Sequence, residues 1–426
     1  MRQQNNASAF EWKPFSRKQK KLLTWWMPQS PYKDYDIVIS DGAIRSGKTV
    51  AGIDGFITWS LHAFREQSFI IAGKSIGALK RNVLRPLFQM LNAKGIPYQY
   101  NRSENFIVIG NNTYYCFGAN NEASQDVLQG LTAAGAYADE VALFPRSFVE
   151  QMIGRCSVEG SKIWMNCNPE GPYHFIKTDY IDKAEEKKIL RLHFTLDDNL
   201  TLSDEIKERY RRMFSGVFYQ RNILGLWVMA EGVVYDMFDR EKHVVPTVDR
   251  PYTQYYVSID YGVQNPTTFG LWGLYNGVWY KVKEYHYDGR ERGRQKDNEE
   301  YYQDLVEFVG NIQPKAIIID PSAKSFIATI RKKGRFTVRQ ARNDVLEGIQ
   351  NMATALNTGK ILYNDCCEET FREFASYVWD EKAAERGEDR PLKMNDHHMD
   401  ADRYFVNTVV MAENRLRTRD KELFGL

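Results

Sequence analysis

The chain has 426 residues, which is too long for a single hydrophobic core, so its length predicts two domains. A hydrophobic content of 43% and a charged content of 26% are ordinary for a soluble globular protein. The formal net charge of +2 does not by itself indicate nucleic-acid binding, although a near-neutral total can hide a local basic groove.

Cysteine usage argues against a disulfide-stabilised or zinc-binding protein, and hydropathy argues against a membrane or secreted one. The five cysteines lack the paired spacing of a zinc site, and their odd number argues against a disulfide framework, so we expect reduced thiols. No run approaches the roughly 20 apolar residues of a membrane span, and the first six residues lack the apolar core of a signal peptide. These observations predict a cytoplasmic protein with no membrane partner.

The first part of the chain alternates between strand-like and helix-like patterns. A basic, helix-like patch at residues 17–21 comes first. Short apolar runs then predict strands at residues 36–40, 68–72, 105–109, 113–117, 135–138 and 162–166. Helical patterns between such strands are typical of an α/β sheet.

Residues 42–49 match the phosphate-binding loop G-x-x-x-x-G-K-[ST]. The loop follows the strand predicted at 36–40 and precedes a helix predicted at 49–57, which is the context that the motif requires. With strand, loop and helix in this order, we interpret the segment as a nucleotide site rather than a chance match.

Each residue type in this loop has a chemical reason. Gly42 and Gly47 would let backbone N–H groups turn toward a phosphate chain at the N-terminus of the helix. Lys48 would reach the β- and γ-phosphates, and the Thr49 hydroxyl would ligate Mg²⁺. Arg45 is either an extra cation near the γ-phosphate or a solvent-facing residue, and the sequence leaves both open.

Two later strand ends carry polar side chains suited to nucleotide hydrolysis. Asp139 would hold the Mg²⁺ shell and Glu140 would polarise the attacking water. Alternation along the strand would point these two side chains to different faces. Asn168, after the strand at 162–166, would contact the γ-phosphate and relay its loss, with an ordinary Asn-Pro turn as the alternative.

The chain then changes character. Residues 200–223 predict a charged helical segment, and residues 225–250 predict a connection between domains. A second pattern follows, with Asn276-Gly277 as a hairpin signal. Its predicted strands are 255–260, 267–274, 278–286, 316–320 and 360–363, and its predicted helices are 299–309, 323–332, 344–357, 368–379 and 398–413.

Three aspartates in this second pattern suggest phosphodiester cleavage. Asp260 and Asp320 end apolar strands, and Asp400 lies at the start of a helix-like stretch. Such carboxylates can converge on a pair of Mg²⁺ or Mn²⁺ ions that stabilise the attacking and leaving oxygens. Their order on three antiparallel strands, a helix, a strand and further helices is the ribonuclease-H-like pattern.

Other charged residues lie near these acids. His397, one helical turn before Asp400, would assist the water or orient a ligand, with a helix-capping cluster as the alternative. Asp402 is expected on the opposite face of the helix from Asp400. Lys393 and the loop at 290–296 could touch DNA phosphates, although a solvated surface is the default for such charges.

Taken together, these motifs resemble the large terminase subunit of tailed bacteriophages, most closely its pac-type short-chain branch, over roughly residues 15–412. The resemblance implies an α/β protein with an N-terminal P-loop (RecA/ASCE-like) ATPase domain at residues 1–235. This domain would include a small helical linker subdomain near 180–225. An RNase H-like nuclease domain would occupy residues 236–426.

The resemblance also implies residue roles. Gln19 is similar to the adenine-contacting glutamine of the family, and Asn168 matches the motif that couples hydrolysis to DNA movement. The remaining matches to the ATPase and nuclease residues of the family are Lys48, Thr49, Asp139, Glu140, Asp260, Asp320 and Asp400.

Cofactors and partners follow from the same resemblance. It implies ATP with Mg²⁺ at the motor, and Mg²⁺ or Mn²⁺ at the nuclease. It also implies double-stranded DNA, a portal protein, a small terminase subunit and a pentameric ring, which docks transiently on the viral procapsid in the host cytoplasm.

Three functions remain open from the residues. The leading hypothesis is an ATP-driven translocase of double-stranded viral DNA fused to a metal-dependent endonuclease. A helicase-like or repair ATPase, whose C-terminal domain binds but does not cut nucleic acid, is the alternative. The third is a portal-associated scaffold with a degenerate nucleotide site, against which the presence of Lys48, Asp139 and Glu140 counts.

Overall fold

The computed structural model describes residues 12–262 and 265–412, and the chain forms two compact units. The first unit holds the chain up to Arg209, with Tyr219–Met229 and Glu385–Glu388. The second holds Tyr210–Phe218, Ala230–Ala384 and the described chain from Asp389 onward. Residues 210–218 belong to the second unit, residues 219–229 to the first, and the chain returns to the second unit at residue 230. The domain bounds 1–235 and 236–426 therefore stay predictions. None of the helices in the described ranges has the length and apolarity of a membrane span.

One β-sheet organises the first unit. Its described strands are β1 (Ile37–Gly42), β2 (Ser68–Gly73), β3 (Tyr98–Asn101), β4 (Phe106–Ile109), β5 (Asn112–Gly118), β6 (Gly135–Ala138), β7 (Lys162–Cys167) and β8 (Ile189–Phe194). They run across the sheet in the order β3-β4-β5-β2-β6-β7-β1-β8. Every pair from β5 to β8 in this order is parallel, so the carboxyl ends of β1, β6 and β7 meet at one edge of the sheet.

Helices cover both faces of this sheet. The described α-helices up to residue 222 are α1 (Arg17–Thr24), α2 (Lys48–Ala63), α3 (Ile76–Leu79), α4 (Arg85–Ala93), α5 (Arg146–Arg155), α6 (Asp204–Met213) and α7 (Gly216–Asn222). Val38 packs into a core with Phe56 and Trp164, whereas its neighbour Ile39 packs into a second core with Phe148. Burial on both faces explains why β1 reads as a continuous apolar run.

A mixed sheet organises the second unit. Its described strands are β9 (Val244–Val245), β10 (Gln254–Asp260), β11 (Thr267–Tyr275), β12 (Val278–Tyr287), β13 (Ile317–Ile319), β14 (Val338–Gln340) and β15 (Ile361–Asn364). They run in the order β14-β13-β10-β11-β12-β15-β9, and only the β10-β11-β12 meander is antiparallel in the described sheet. Asn276 and Gly277 both have positive φ, which confirms the predicted hairpin turn.

Helices pack on this second sheet as well. They are α8 (Arg240–His243), α9 (Asn298–Val309), α10 (Lys324–Lys333), α11 (Val345–Asn357), α12 (Glu368–Ser376), α13 (Glu381–Ala384) and α14 (His397–Phe405), which continues as a π-helical turn at Val406–Val410. The mixed α/β architecture of both units confirms the predicted fold class.

Several predicted element bounds were wrong. The helical segment at 200–223 is two helices, because Gly216 has a positive φ that a continuous right-handed helix cannot accommodate. The helix expected at 368–379 ends at Ser376, after which Val378 pairs with Val233 in an isolated bridge. The missed strand β8 directly follows a charged stretch that reads as helix, and β9 and β14 are only two and three residues long.

Candidate nucleotide and metal sites

The phosphate loop joins β1 to α2 as predicted. Gly42 and Gly47 have φ angles of 130° and 83°, which L side chains rarely adopt. A Cβ atom at Gly42 would lie 1.9 Å from the carbonyl oxygen of Phe194 on β8, so only glycine fits there. The loop therefore has the glycine-dependent backbone that a phosphate cradle requires.

Lys48 lies buried against this loop. Its ammonium donates to the carbonyl oxygens of Gly42 and Ala43, at 2.9 and 2.6 Å, and to Asn168 Oδ1 at 3.1 Å. Burial lowers the pKa of Lys48 to about 8, against the opposing effect of nearby anionic groups. The structure thus places the two polar side chains predicted to meet the terminal phosphates, Lys48 and Asn168, in direct contact.

Thr49 and Asp139 form a second contact beside the loop. The Thr49 hydroxyl donates to Asp139 Oδ1 at 3.1 Å, and the Asn166 amide donates to the same oxygen at 2.8 Å. Burial raises the pKa of Asp139, while the hydrogen bonds from Asn166 and Thr49 oppose this rise. A hydroxyl and a carboxylate held together in this way are suited to one hard dication, so the residues fit the predicted Mg²⁺.

Glu140 occupies a strained turn. Strand β6 ends at Ala138, and Glu140 adopts a left-handed conformation with φ 60° while its N–H donates to Asn166 Oδ1 at 3.2 Å. Asp139 and Glu140 thus lie in a turn beyond the strand, so strand alternation does not set the directions of their side chains. Burial and the charge of Asp139 raise the pKa of Glu140.

Gln19 and Arg45 flank the loop. Gln19 is buried in a capping box with Ser16 at the start of α1, and its Nε2 lies 3.4 Å from the carbonyl oxygen of Gly47. Arg45 is exposed, with a φ of 54°, and its carbonyl oxygen accepts a hydrogen bond from Asn199 at 2.6 Å. Gln19 is thus placed at the rim of the loop.

A buried carboxylate, Asp41, anchors the start of the loop. Arg191 donates two hydrogen bonds to it, at 3.0 and 2.8 Å, and the indole of Trp227 donates a third at 2.9 Å. Although burial opposes the charged form, the nearby His193 imidazole and the hydrogen bonds from Arg191 and Trp227 hold the pKa of Asp41 well below its usual range. This anchor ties β8 and the segment at 219–229 to the phosphate loop.

In the second unit, Asp260 and Asp400 line one cleft of about 430 Å³. Asp260 Oδ2 lies 2.9 Å from His397 Nδ1. Asp400 accepts hydrogen bonds from Lys393 at 3.0 Å and from Arg403 at 2.7 Å. Lys393 and Arg290 both line the cleft, where a phosphate backbone would be attracted.

Asp320 lies at the end of the neighbouring strand. Ile259 and Ile319 are paired in register on the parallel strands β10 and β13, so Asp260 and Asp320 follow at adjacent strand ends. Asp320 accepts hydrogen bonds from Ser322 N at 2.7 Å and Asn343 at 2.9 Å, which lower its pKa despite burial. It does not line the cleft itself.

The cleft carries the charge that a metal site requires. Burial raises the pKa of Asp260, and the charges of Asp400 and Asp396 raise it further, although the contact with His397 opposes them. A carboxylate destabilised by its acidic neighbours gains from a bound dication, so these residues fit Mg²⁺ or Mn²⁺. Asp402 points away into the core, as expected, and pairs with Lys281 at 2.7 Å.

Comparison with known proteins decides the family. One solved structure, that of the large terminase from a thermophilic bacteriophage in crystal form 2, is 61% identical to the chain. The match covers 93% of this chain and 100% of that one, with a TM-score of 0.91. The chain belongs to the large terminase subunit family.

Two further structures and a family model agree. The same thermophilic phage terminase in complex with ADP and in complex with ATP-gamma-S is 60% identical in each case, covers 93% of this chain and 100% of its own, and gives TM-scores of 0.88 and 0.87. The model of the family "Terminase large subunit, T4likevirus-type, N-terminal" matches residues 40–242. No curated protein matches. The predicted resemblance is therefore confirmed.

Sequence reasoning about this chain missed the contacts of several residues near the sites. Asn166 contacts both members of the acid pair, and its signal is a polar residue inside an otherwise apolar strand. Asp41 immediately precedes the loop motif and is likewise a polar residue in a largely apolar strand. Trp227 lies 186 residues from Asp41, and no local pattern could have joined the two.

Proposed function

We propose that the chain uses ATP hydrolysis to move double-stranded viral DNA into procapsids and cuts the DNA concatemer with a metal-dependent nuclease. One observation carries this proposal: the same chain has two sites of different chemistry. In the first unit, Lys48 and Thr49 of the phosphate loop contact Asn168 and Asp139. In the second unit, aspartates line a cleft. Membership in the large terminase family supports both halves.

At the nucleotide site, Lys48 would release its loop carbonyl oxygens and bind the β- and γ-phosphates. Thr49 and Asp139 would hold Mg²⁺, which neutralises developing phosphate charge when it is bound. Glu140 would orient the attacking water. Asn168, in contact with Lys48, would respond to the loss of the γ-phosphate. The nucleotide complexes of the thermophilic phage relative support ATP as the ligand.

Two residues at the rim of the loop complete this site. Gln19, next to Gly47, would contact the adenine. Arg45 is exposed on the same loop and is free of burial constraints, so its side chain would approach the γ-phosphate from the solvent side. Both roles are tested by nucleotide-binding measurements on the corresponding alanine variants.

Asp260 and Asp400 in the nuclease cleft, with Asp320 at the adjacent strand end, would hold Mg²⁺ or Mn²⁺, which stabilises the attacking and leaving oxygens of a phosphodiester when bound. Lys393 would exchange its contact with Asp400 for a DNA phosphate. His397 would keep Asp260 oriented through its hydrogen bond. The partners we propose are double-stranded DNA, a portal protein and a small terminase subunit. We also propose that the chain forms a pentameric ring on the procapsid in the host cytoplasm.

Plasmid cleavage tests this function. Purified chain with Mn²⁺ or Mg²⁺ should convert supercoiled plasmid to cut forms, and Asp260→Asn should abolish cutting while ATP turnover persists. Glu140→Gln should bind ATP without hydrolysing it and should still cut DNA. Asp249→Asn, which alters an exposed carboxylate of the same unit, serves as the control. Intact plasmid with both metals alongside normal ATP turnover would favour the helicase-like alternative.

A further inference from the structure

A second group of metal-type ligands includes His398, the residue that follows His397 of the acid cleft. His286 on β12, Glu373 on α12 and His398 on α14 place one ligand atom each within 4.8 Å of one another, and they are the only such trio of His, Cys, Asp or Glu among the described residues. His398 and Glu373 are buried, and His286 is half-buried. We propose that these three side chains, here called the His-Glu-His cluster, bind a transition-metal dication of the Zn²⁺ type, distinct from the nuclease metals.

The spacing of the two imidazoles suits this ion. His286 Nδ1 and His398 Nε2 lie 3.2 Å apart. Two nitrogens bound to one tetrahedral Zn²⁺ at its usual bond lengths are separated by about 3.3 Å. The two ring nitrogens therefore already have the separation of adjacent corners of a tetrahedron, with Glu373 near a third corner. Two imidazoles and one carboxylate form a donor set that prefers Zn²⁺ to Mg²⁺.

The surroundings of His398 select the tautomer that binds metal. Its other ring nitrogen, Nδ1, is buried, has no hydrogen-bond partner, and lies 3.8 Å from Glu284 Oε2. A proton on Nδ1 would face this carboxylate, which leaves a lone pair on Nε2 toward His286. A histidine that binds metal through one nitrogen and faces a carboxylate with the other is the usual outer-shell arrangement.

The local charge also calls for a dication. The carboxylates around the cluster are the buried ones of Glu373 and Asp402 and the half-buried one of Glu284, and the ammonium of Lys281 is the cation that acts on them. When all four groups are ionised, two negative charges remain without compensation. A bound dication would balance this charge.

Such an ion would stiffen the helix that carries the nuclease residues. Glu373 already accepts hydrogen bonds from the N–H groups of His398, at 2.7 Å, and Met399, at 3.0 Å, and so caps the start of α14. A metal shared by β12, α12 and α14 would fix this helix start, which holds His397 and Asp400 at the cleft. The role we infer for this ion is positioning.

Zinc binding by the full-length chain tests the proposal. The Asp260→Asn variant, stripped with chelator, removes one nuclease ligand and should still bind one Zn²⁺ per chain in equilibrium dialysis. Adding His286→Gln should weaken this binding at least about tenfold, since even outer-shell changes have effects of that size. Excess Mg²⁺ should not displace the bound Zn²⁺, because imidazole ligands favour Zn²⁺.

Two further measurements separate binding from folding. Glu373→Gln keeps an oxygen that can cap α14 but loses the charge, so it should weaken Zn²⁺ binding with an unchanged circular dichroism spectrum. Glu368→Gln, an exposed position on the same helix, should bind as the background does. Zn²⁺ should raise the melting temperature of the background and not of the His286→Gln protein. Equal Zn²⁺ affinity with and without His286, displacement by Mg²⁺, or no binding by the background would each overturn the proposal.

Discussion

The buried ion pair between Lys281 and Asp402 offers a sharp test of how the second unit is held together. Both side chains have 0% exposure, and Nζ lies 2.7 Å from Asp402 Oδ1 and 2.7 Å from the Thr370 hydroxyl. The pair connects β12 to α14. Replacing Asp402 by asparagine keeps the shape and one acceptor oxygen but leaves the Lys281 ammonium without its closest counter-charge.

The size of the effect follows from what remains around the ammonium. Removing one partner of a buried ion pair costs about 3–5 kcal/mol of unfolding free energy. Glu284 still acts on Lys281 after the change, and Thr370 still contacts it, so we expect the lower end, about 3 kcal/mol. A double variant, Lys281→Met with Asp402→Leu, removes both charges and should recover most of this loss.

Urea unfolding monitored by hydrogen exchange in β12 and α14 measures this prediction within the second unit. The matched control is Asp249→Asn, an exposed aspartate of the same unit, for which we expect a change within about 0.5 kcal/mol. An Asp402→Asn protein as stable as this control would refute the reasoning, because Lys281 would then be uncharged in the folded state.

Three further changes test other parts of the structure. Asp41→Asn should lower the free energy of unfolding at pH values above about 4, the pKa of aspartate in the unfolded chain. Because the pKa of Asp41 is depressed in the folded protein, this difference should vanish as acid protonates the native carboxylate, and urea unfolding at a series of pH values measures it. Lys393→Gln frees the carboxylates of Asp396 and Asp400, so the Mn²⁺ concentration for half-maximal cleavage should fall, and an unchanged value would contradict a metal site there. A fragment that begins at residue 230 should resist proteolysis better than one that begins at 245, because Tyr235 is fully buried in a core of the second unit.

The sequence predicted those parts of the fold and sites that depend on local pattern. The phosphate loop is a contiguous motif whose glycines are required by backbone geometry, and the Asn276-Gly277 turn is equally local. Asp260 and Asp320 were each predicted at the end of an apolar strand, and the parallel pairing of β10 with β13 brings these two ends side by side. Contacts between distant segments, such as the one between Trp227 and Asp41, depend on the packing of α/β layers and leave no periodic trace.

Helix geometry explains how α14 divides its side chains between two environments. At 100° per residue, His397 and Asp400 lie within about 60° of each other, and His398 and Asp402 within about 40° on the opposite side. The first pair accordingly lines the acid cleft, and the second pair faces β12. This division follows from residue spacing alone, once the helix is known to begin at His397.

The side chains of β12 that face α14 could not be predicted from residue spacing. Lys281 and His286 are five residues apart, so regular alternation would put them on opposite faces of the strand. In the structure Lys281 pairs with Trp272 and Lys283 with Leu271, which leaves Val282 as an extra residue in a β-bulge. The bulge reverses the alternation, so Lys281 joins Glu284 and His286 on the side that faces α14. A one-residue irregularity, invisible in the apolar pattern, thus assembles both the buried ion pair and the His-Glu-His cluster.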